Sequence, residues 1–565
     1  MKKAFLFLAT VFGVLTSMAE SVKVGELYYE RNYTYNTASV AYHEWHSSDN
    51  YADITSIVIP NQIEYNGTVY KVTSIGEGAF RRCPSLVSVT IPEGITSIEE
   101  DAFWGCDSLV TVHVPSSVTT IGKEAFGWCH SLKFIRLPYN LTNIGENAFF
   151  KCSSLDSIII PKSVRNIGEE AFRQCTSLKS IRVENGNFVY DSRDNCNAII
   201  KTSTNALIAG CQNTIIPYNV RSIEAWAFNW CKSLTSIFIP KSVTTIEEGA
   251  FAGCAGLKYI QVELGNPTYD SRENCNAIIR TATNTLVVGC HNTKIHNSVT
   301  TIAEGAFGYC TTLKAITIPK SVKYIERGAF AGCNSLSVIK VDVNNTTFDS
   351  RDNCNAVINT YNNTLVLGCA STTIPNSVTT IGEGAFYSCS SLKSIEIPGS
   401  VKSIKDNAFW GCDSLISIVM NNGVVNIGKE AFESCHSLKS ITIPNSVEYI
   451  ADKAFAWCSS LASISLGNHV ASIGKRAFEY CKSLKSIIIP NSVEYIGEQA
   501  FASCESLTSI SIENGITSIG PIIITGCESL KSIKYAGTKE QWRKIKKEDD
   551  WFWYGREIHC VDGNI

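Results

Sequence analysis

One segment with chemically capable side chains occurs three times: YDSRDNCNAIIKTSTNALIAGC at Tyr190–Cys211, YDSRENCNAIIRTATNTLVVGC at Tyr269–Cys290 and FDSRDNCNAVINTYNNTLVLGC at Phe348–Cys369. Each copy holds an acidic cluster, an arginine and two cysteines, from which calcium, zinc or thiol redox sites can be built. The calcium reading fails on spacing. An EF-type loop needs alternate oxygen ligands, glycine sixth and glutamate twelfth, but counting from Asp191 puts Cys196 sixth and Thr202 twelfth. A turn held by Asp and Asn side chains accounts for DSRDN better, with Arg193, Arg272 and Arg351 pairing with acids of the same turn. Zinc needs about four close ligands, and each copy offers two thiols and no histidine. The copies recur every 79 residues, which at about 4.8 Å per coil separates them by roughly 10–15 Å, too far to share an ion bound at about 2.3 Å. His291 and His296 lie near Cys290 but have no counterparts in the other copies.

The thiols of the segment leave two readings. A hairpin centred on Ser203-Thr204 would set Cys196 opposite Cys211, and the same arithmetic pairs Cys275 with Cys290 and Cys354 with Cys369. Each pair is then a cross-strand disulfide or two buried thiols, and the apolar positions taken by the other cysteines favour the thiols. No G-x-S-x-G, H-E-x-x-H or phosphate loop is present. A catalytic site would break a repeat at one unique place, whereas these breaks are themselves repeated. No catalytic residue, metal or cofactor is expected.

The elements that must carry this segment are repeats. Cysteines fall 23 residues apart at 83, 106, 129, 152 and 175, and the same step runs from 389 through 412, 435, 458, 481 and 504 to 527. Ala-Phe followed by two variable residues and Cys occurs fifteen times, from Ala79-Phe80 to Ala500-Phe501, and Ile523-Ile524 replaces the pair before Cys527. L-x-x-I-x-I-P has strand periodicity, as at Ile441 and Ile443, and Pro444 suits the point where pairing stops. One unit cannot bury Leu438, Ile441, Ile443, Val447, Ile450 and Phe455 alone; stacking turns each position into a ladder. Sixteen cysteines share one such position, where a small apolar residue at a tight corner is expected.

The pattern C-x-S-L-K-S-I-x-I-P-x-S-V-x-x-I-G-x-x-A-F resembles the BspA-like (Treponema-type) leucine-rich repeats, from about Ile57 to Tyr535. The resemblance implies a curved or superhelical solenoid of 23-residue coils, with a parallel β-sheet on one face and irregular or short helical structure on the other. It also implies an exported or surface protein of bacteria living with animal hosts, with adhesion to host cells and to matrix proteins such as fibronectin and fibrinogen. The alternative is a structural or scaffolding surface protein with partners on the same cell or in its community.

The expected organisation is a signal peptide at 1–19, a β-rich N-terminal cap at 20–56, the solenoid at 57–534 and a C-terminal cap at 535–565. Three hairpin-like inserts are placed at about 184–216, 263–295 and 342–374. MKKAFLFLATVFGVLTSMAES has a basic start, an apolar run from Ala4 to Leu15 and small residues at Ser17 and Ala19. It reads as a secretory signal cleaved after Ala19, and the run is shorter than the ~20 residues of a spanning helix. Secretion or display at the cell surface is the expected location. In the C-terminal cap, Thr538 with Gln541 forms a capping-box start for a helix carrying Trp542 and Ile545 inward, and Trp551 and Trp553 are expected to help seal the last coil.

The variable residues of L-x-x-I-x-I should face outward and form the partner surface. The residue after the leucine is lysine in eight of sixteen units, among them Lys393, Lys439 and Lys485. Such a ladder would steer an acidic protein or glycan, or else simply keep the sheet solvated. Large apolar groups at outward positions are the stronger contact candidates: Phe134 with Arg136 two residues on, Ile159, Phe238, Tyr259 and Ile488. Trp104, Trp128, Trp230, Trp410 and Trp457 form an aromatic edge strip or pack between coils. The net charge of -3 and pI near 6.3 argue against nucleic acid as a partner, and 44% hydrophobic against 18% charged residues indicates a buried core rather than disorder.

Overall fold

The 23-residue step sets the architecture because it is also the pairing register. In the computed structural model, which describes residues 21–42, 51, 53–547 and 556–565, Thr120–Ile121 pairs in parallel with Ser97–Ile98 on one side and Asn143–Ile144 on the other. Each residue therefore meets its own equivalent in the next coil, and every apolar position becomes a ladder. The chain divides into two compact units, one ending at Thr214 and the other running from Ile215 to Ile565.

In the first unit each coil has three walls. The L-x-x-I-x-I segments make a parallel sheet of Ser56–Val58, Ser88–Thr90, Thr111–His113 and Phe134–Arg136, with Ser157–Ile160 paired to Ser180–Val183. Two-residue strands such as Ser97–Ile98 make the second wall. The third wall, expected to be irregular or shortly helical, consists of turns around Ala-Phe. Its backbone bonds run between coils: Phe80, Phe103 and Phe126 each donate N–H to the carbonyl of the alanine one coil on, at 2.8–2.9 Å. Two residues per coil there are left-handed, the one before Ala and the one before Cys, as at Glu124 (φ 51°) and Trp128 (φ 61°). The rings of Phe80, Phe103, Phe126, Phe149 and Phe172 stack at centroid distances of 5.2–5.6 Å.

A meander of Val22–Val24, Leu27–Asn32 and Thr37–Ala41 covers the first coil by pairing Thr37–Ala41 with Thr68–Ile75. Thr68–Ile75 also forms a hairpin with Gln62–Tyr65 across Asn66-Gly67, both left-handed, so the covering sheet draws on residues beyond position 56.

The second unit repeats this plan. Its longest phenylalanine stack runs from Phe386 through Phe409, Phe432, Phe455 and Phe478 to Phe501. At the far end, Lys539–Lys544 is a helix whose Thr538–Gln541 capping box is formed in both directions, and Trp542 and Ile545 are buried. Glu557–Cys560 adds a last parallel strand to Ser532–Tyr535. Trp551 and Trp553 lie outside the described residues.

Candidate partner-binding face and the inserts

The inserts are continuous with the coil walls and do not project. In the second copy Ala277–Arg280 and Thr285–Gly289 form the expected antiparallel hairpin, and Thr285–Gly289 then pairs in parallel with Thr301–Ile302. The hairpin's return strand thus takes the place of a two-residue strand in the second wall, and Ala277, Ile278 and Ile279 are fully buried. The third copy does the same through Thr364–Leu367 and Thr380–Ile381.

The acidic turns are architecture. Asp194, Asn195, Asn197 and Asn205 are all left-handed, as are their equivalents in the other copies, which explains the Asp and Asn content, since their short polar side chains tolerate that conformation. Arg193 grips Asp191 with Nε to Oδ1 at 2.8 Å and Nη2 to Oδ2 at 2.5 Å, and its Nη1 donates to Asn205 Oδ1 at 2.9 Å. Arg272 and Arg351 repeat the clamp on Asp270 with Asn284 and on Asp349 with Asn363. Each arginine thereby ties the turn to the hairpin tip. Among the described residues no group of three or more His, Cys, Asp or Glu converges as a metal set. His296 Nε2 instead sits 3.3 Å from Glu273, and its Nδ1 lies 2.8 Å from Ser298 Oγ.

All described cysteines are free thiols. The direct opposition of Cys196 with Cys211, Cys275 with Cys290 and Cys354 with Cys369 is corrected by a bulge. Lys201 faces Ala206 and Ile200 faces Leu207, but past the bulge Ile199 faces Ala209 and Ala198 faces Gly210. That one-residue slip recurs in the other two hairpins and takes each pair out of disulfide geometry. Cys211 Sγ lies 3.3 Å from the carbonyls of Lys179 and Asn197, and Cys196 Sγ 3.8 Å from that of Ala198. The ladder thiols have a single recurring partner, the carbonyl of the Ala-Phe phenylalanine in the preceding coil. Cys106 reaches Phe80 at 3.1 Å, Cys254 reaches Phe228 at 3.1 Å and Cys527 reaches Phe501 at 3.0 Å. Burial pushes Cys175, Cys254 and Cys458 from an ordinary 9.0 up to about 12, and Cys196 up to about 11.

The strand face presents the sequence candidates outward. In the first unit Phe134 (57% exposed) and Arg136 flank buried Ile135, in register with Thr111 and His113. Ile159 is exposed opposite Arg182. In the second unit Phe238 and Tyr259 (60% exposed) stand on adjacent paired strands, and Ile488 is exposed opposite Ser511. Lys393, Lys439 and Lys485 are exposed, two coils apart, with Ile416 and Ala462 between them. Among the described residues these three lysines are in no ion pair, whereas Lys179 bonds Asp156 at 2.6 Å. The sequence reading passed over Val58, Ile416 and Val419, which are exposed on the same face; they occupy the same variable positions and were legible there. The tryptophans pack against aromatics of nearby coils on the third wall, as in Tyr387–Trp410 at 4.7 Å and Trp457–Tyr480 at 3.9 Å.

Parallel strands on one wall, a repeated leucine and isoleucine core and a variable outward face define a leucine-rich repeat solenoid. Residues 48–179, 198–280, 287–364, 358–456 and 425–548 match the family described as BspA type leucine-rich repeat region. The chain belongs to that family. It is similar to a leucine-rich cell surface protein of Faecalibacterium prausnitzii (24% identity over 94% of this chain and 98% of that one, TM-score 0.28). A leucine-rich repeat protein of Bacteroides ovatus is similar at 23% identity over 96% and 100%, with a TM-score of 0.29. The pneumococcal vaccine antigen PcpA is similar at 18% identity over 71% and 99%, with a TM-score of 0.41. No curated protein matches the chain.

Proposed function

We propose that this is an exported, non-enzymatic surface protein that binds protein partners through its strand face, and that its task is adhesion to host cells or extracellular matrix proteins. Membership of a leucine-rich repeat family supports binding, and the chemistry of residues 1–19, outside the described residues, supports export. Among the described residues no helix is long and apolar enough to cross a membrane. The observation that carries the reading is the exposure of large apolar side chains at outward strand positions, Phe134 in the first unit and Tyr259 and Ile488 in the second. Large apolar groups kept in water on a rigid sheet are contact residues in waiting, and Lys393, Lys439 and Lys485, exposed in the second unit, favour an acidic protein or glycan surface.

Solid-phase binding of the full chain to fibronectin, fibrinogen and intact host cells tests this. Saturable binding that weakens with added salt is expected. Binding to none of these, together with capture of envelope proteins from the producing cell, would place the partners in the same community and overturn the adhesion reading.

A further inference from the structure

At the third insert the strand face is interrupted. The coil that follows Cys369 shortens L-x-x-I-x-I-P to T-x-I-P at Thr372–Pro375 and contributes no strand to this wall. Val338–Val341 is the last strand of one sheet and Ser394–Ile397 the first of the next. In the 23-residue register Thr372–Ile374 precedes Ile395–Ile397 by one coil, so a segment that pairs with no strand lies between these edges. A groove of about 510 Å³ lies there, lined on one side by Thr372, Thr373, Ile374 and Asn376 and on the other by Ser394, Glu396 and Val419.

The two edges are treated differently. The insert closes the edge of Val338–Val341 with hydroxyls: Ser350 Oγ donates to Ile339 O at 3.1 Å and Ser371 Oγ to Ser337 O at 2.5 Å. Among the described residues, no hydrogen bond from the insert reaches the backbone of Ser394 or Glu396. The direction in which their backbone points follows from the repeat. The residue equivalent to Glu396 three coils further on, Ser465, accepts at its carbonyl from Ile443 N–H of its preceding coil at 2.8 Å. Lys439, equivalent to Lys393, donates its N–H to Ile416 O of its preceding coil. Lys393 N–H and the N–H and C=O of Glu396 therefore face the groove, because both polar groups of one strand residue point to the same side. Buried Ile374 and Ile395 lie along the groove.

We propose that this groove takes one extended peptide segment of a partner protein, which adds a strand to the open edge of Ser394–Ile397. Backbone donors and acceptors along an open strand edge, beside a groove, match the backbone of an extended chain. Alternate side chains of that segment would pack down toward Ile374 and Ile395, so small aliphatic residues alternating with polar ones fit best. The inference rests on the reading that the strand face carries protein partners and adds the form in which one of them binds.

The test is fluorescence anisotropy of the full chain with labelled, end-capped octapeptides in which Val, Ile or Ala alternates with Thr. Thr373→Trp fills the groove. Glu396→Pro removes one groove-facing N–H but no bond to Ser417–Met420, as proline is tolerated on open edges. Saturable binding to wild type, weakened at least about tenfold in whichever of these variants keeps the wild-type melting temperature, is expected. No saturable binding to wild type, or binding unchanged in both variants, overturns the inference. Retained binding to fibronectin, fibrinogen or host cells with no peptide binding defeats the groove alone, whereas loss of all of these defeats the adhesion reading as well.

Discussion

In most coils the ladder cysteine is at once a small apolar filler and a hydrogen-bond donor. The turn around Ala-Phe leaves the phenylalanine carbonyl facing the next coil, and the thiol of that coil reaches it, as Cys458 does to Phe432 at 3.2 Å. Alanine would fill the corner without the bond. Burial holds these thiols neutral, with a consequence for stability. For Cys175, Cys254 and Cys458 the folded pKa lies above the unfolded one, so the folded state keeps protons that the unfolded state releases, and the stabilisation present below the ordinary 9.0 is lost as pH rises toward the folded values of about 12. Denaturant titrations should show stability level up to about pH 9 and falling steadily above it. Alkylation of the native protein should label half-buried Cys560 first and spare the ladder until denaturant is added; rapid labelling of ladder thiols would contradict the account. The apolar corner was legible from the spacing, but the bond was not, since nothing in C-x-S-L shows where a carbonyl from the previous coil points. The left-handed residues were hidden for a related reason. Glycine or asparagine marks some of them, as at Gly78, Gly105 and Asn147, but elsewhere inter-coil bonding holds residues such as Trp128, Glu124 and Lys151 there.

The coil and the insert are the units of construction, and they differ in how openly the sequence declares them. A 23-residue period with Leu, Ile, Ile and Phe at fixed places specifies strand, corner and stacked ring, because each residue meets its own copy in the next coil. The insert was legible as a hairpin from its apolar runs and polar tip. Its bulge was not, for the slip between Ile199 and Ile200 carries no glycine or proline to announce it. The join to the following coil depends on a glycine. A Cβ on Gly289 would stand 2.3 Å from Phe307 Cε1, so the ring of the first full coil after the insert packs directly on hairpin backbone. Gly289→Ala should therefore cost about 1–3 kcal/mol through overpacking, read as a lower midpoint in urea. A variant as stable as wild type would mean that this ring does not hold the insert in place.

For the molecule as a whole, the repeats make a scaffold whose chemistry is alike from coil to coil, and distinctive surface arises only where variable positions or inserts depart from Ser, Thr and Lys. The solenoid and its outward positions were readable because burial alternates along each strand. The division after Thr214 was not, since the first insert has the same length and pattern as the other two. The groove beside Ser394–Ile397 was likewise hidden, being made by a strand that the shortened coil leaves out. The central claim is that partners are held by the exposed apolar residues of the strand face. Its most direct test is the affinity of the triple variant Phe134→Ser, Phe238→Ser, Tyr259→Ser for whichever matrix protein or host cell the wild type binds, with melting temperature as the control. Loss of at least about tenfold in affinity at unchanged melting temperature is the predicted result; unchanged affinity would contradict the account and move the binding surface off this face.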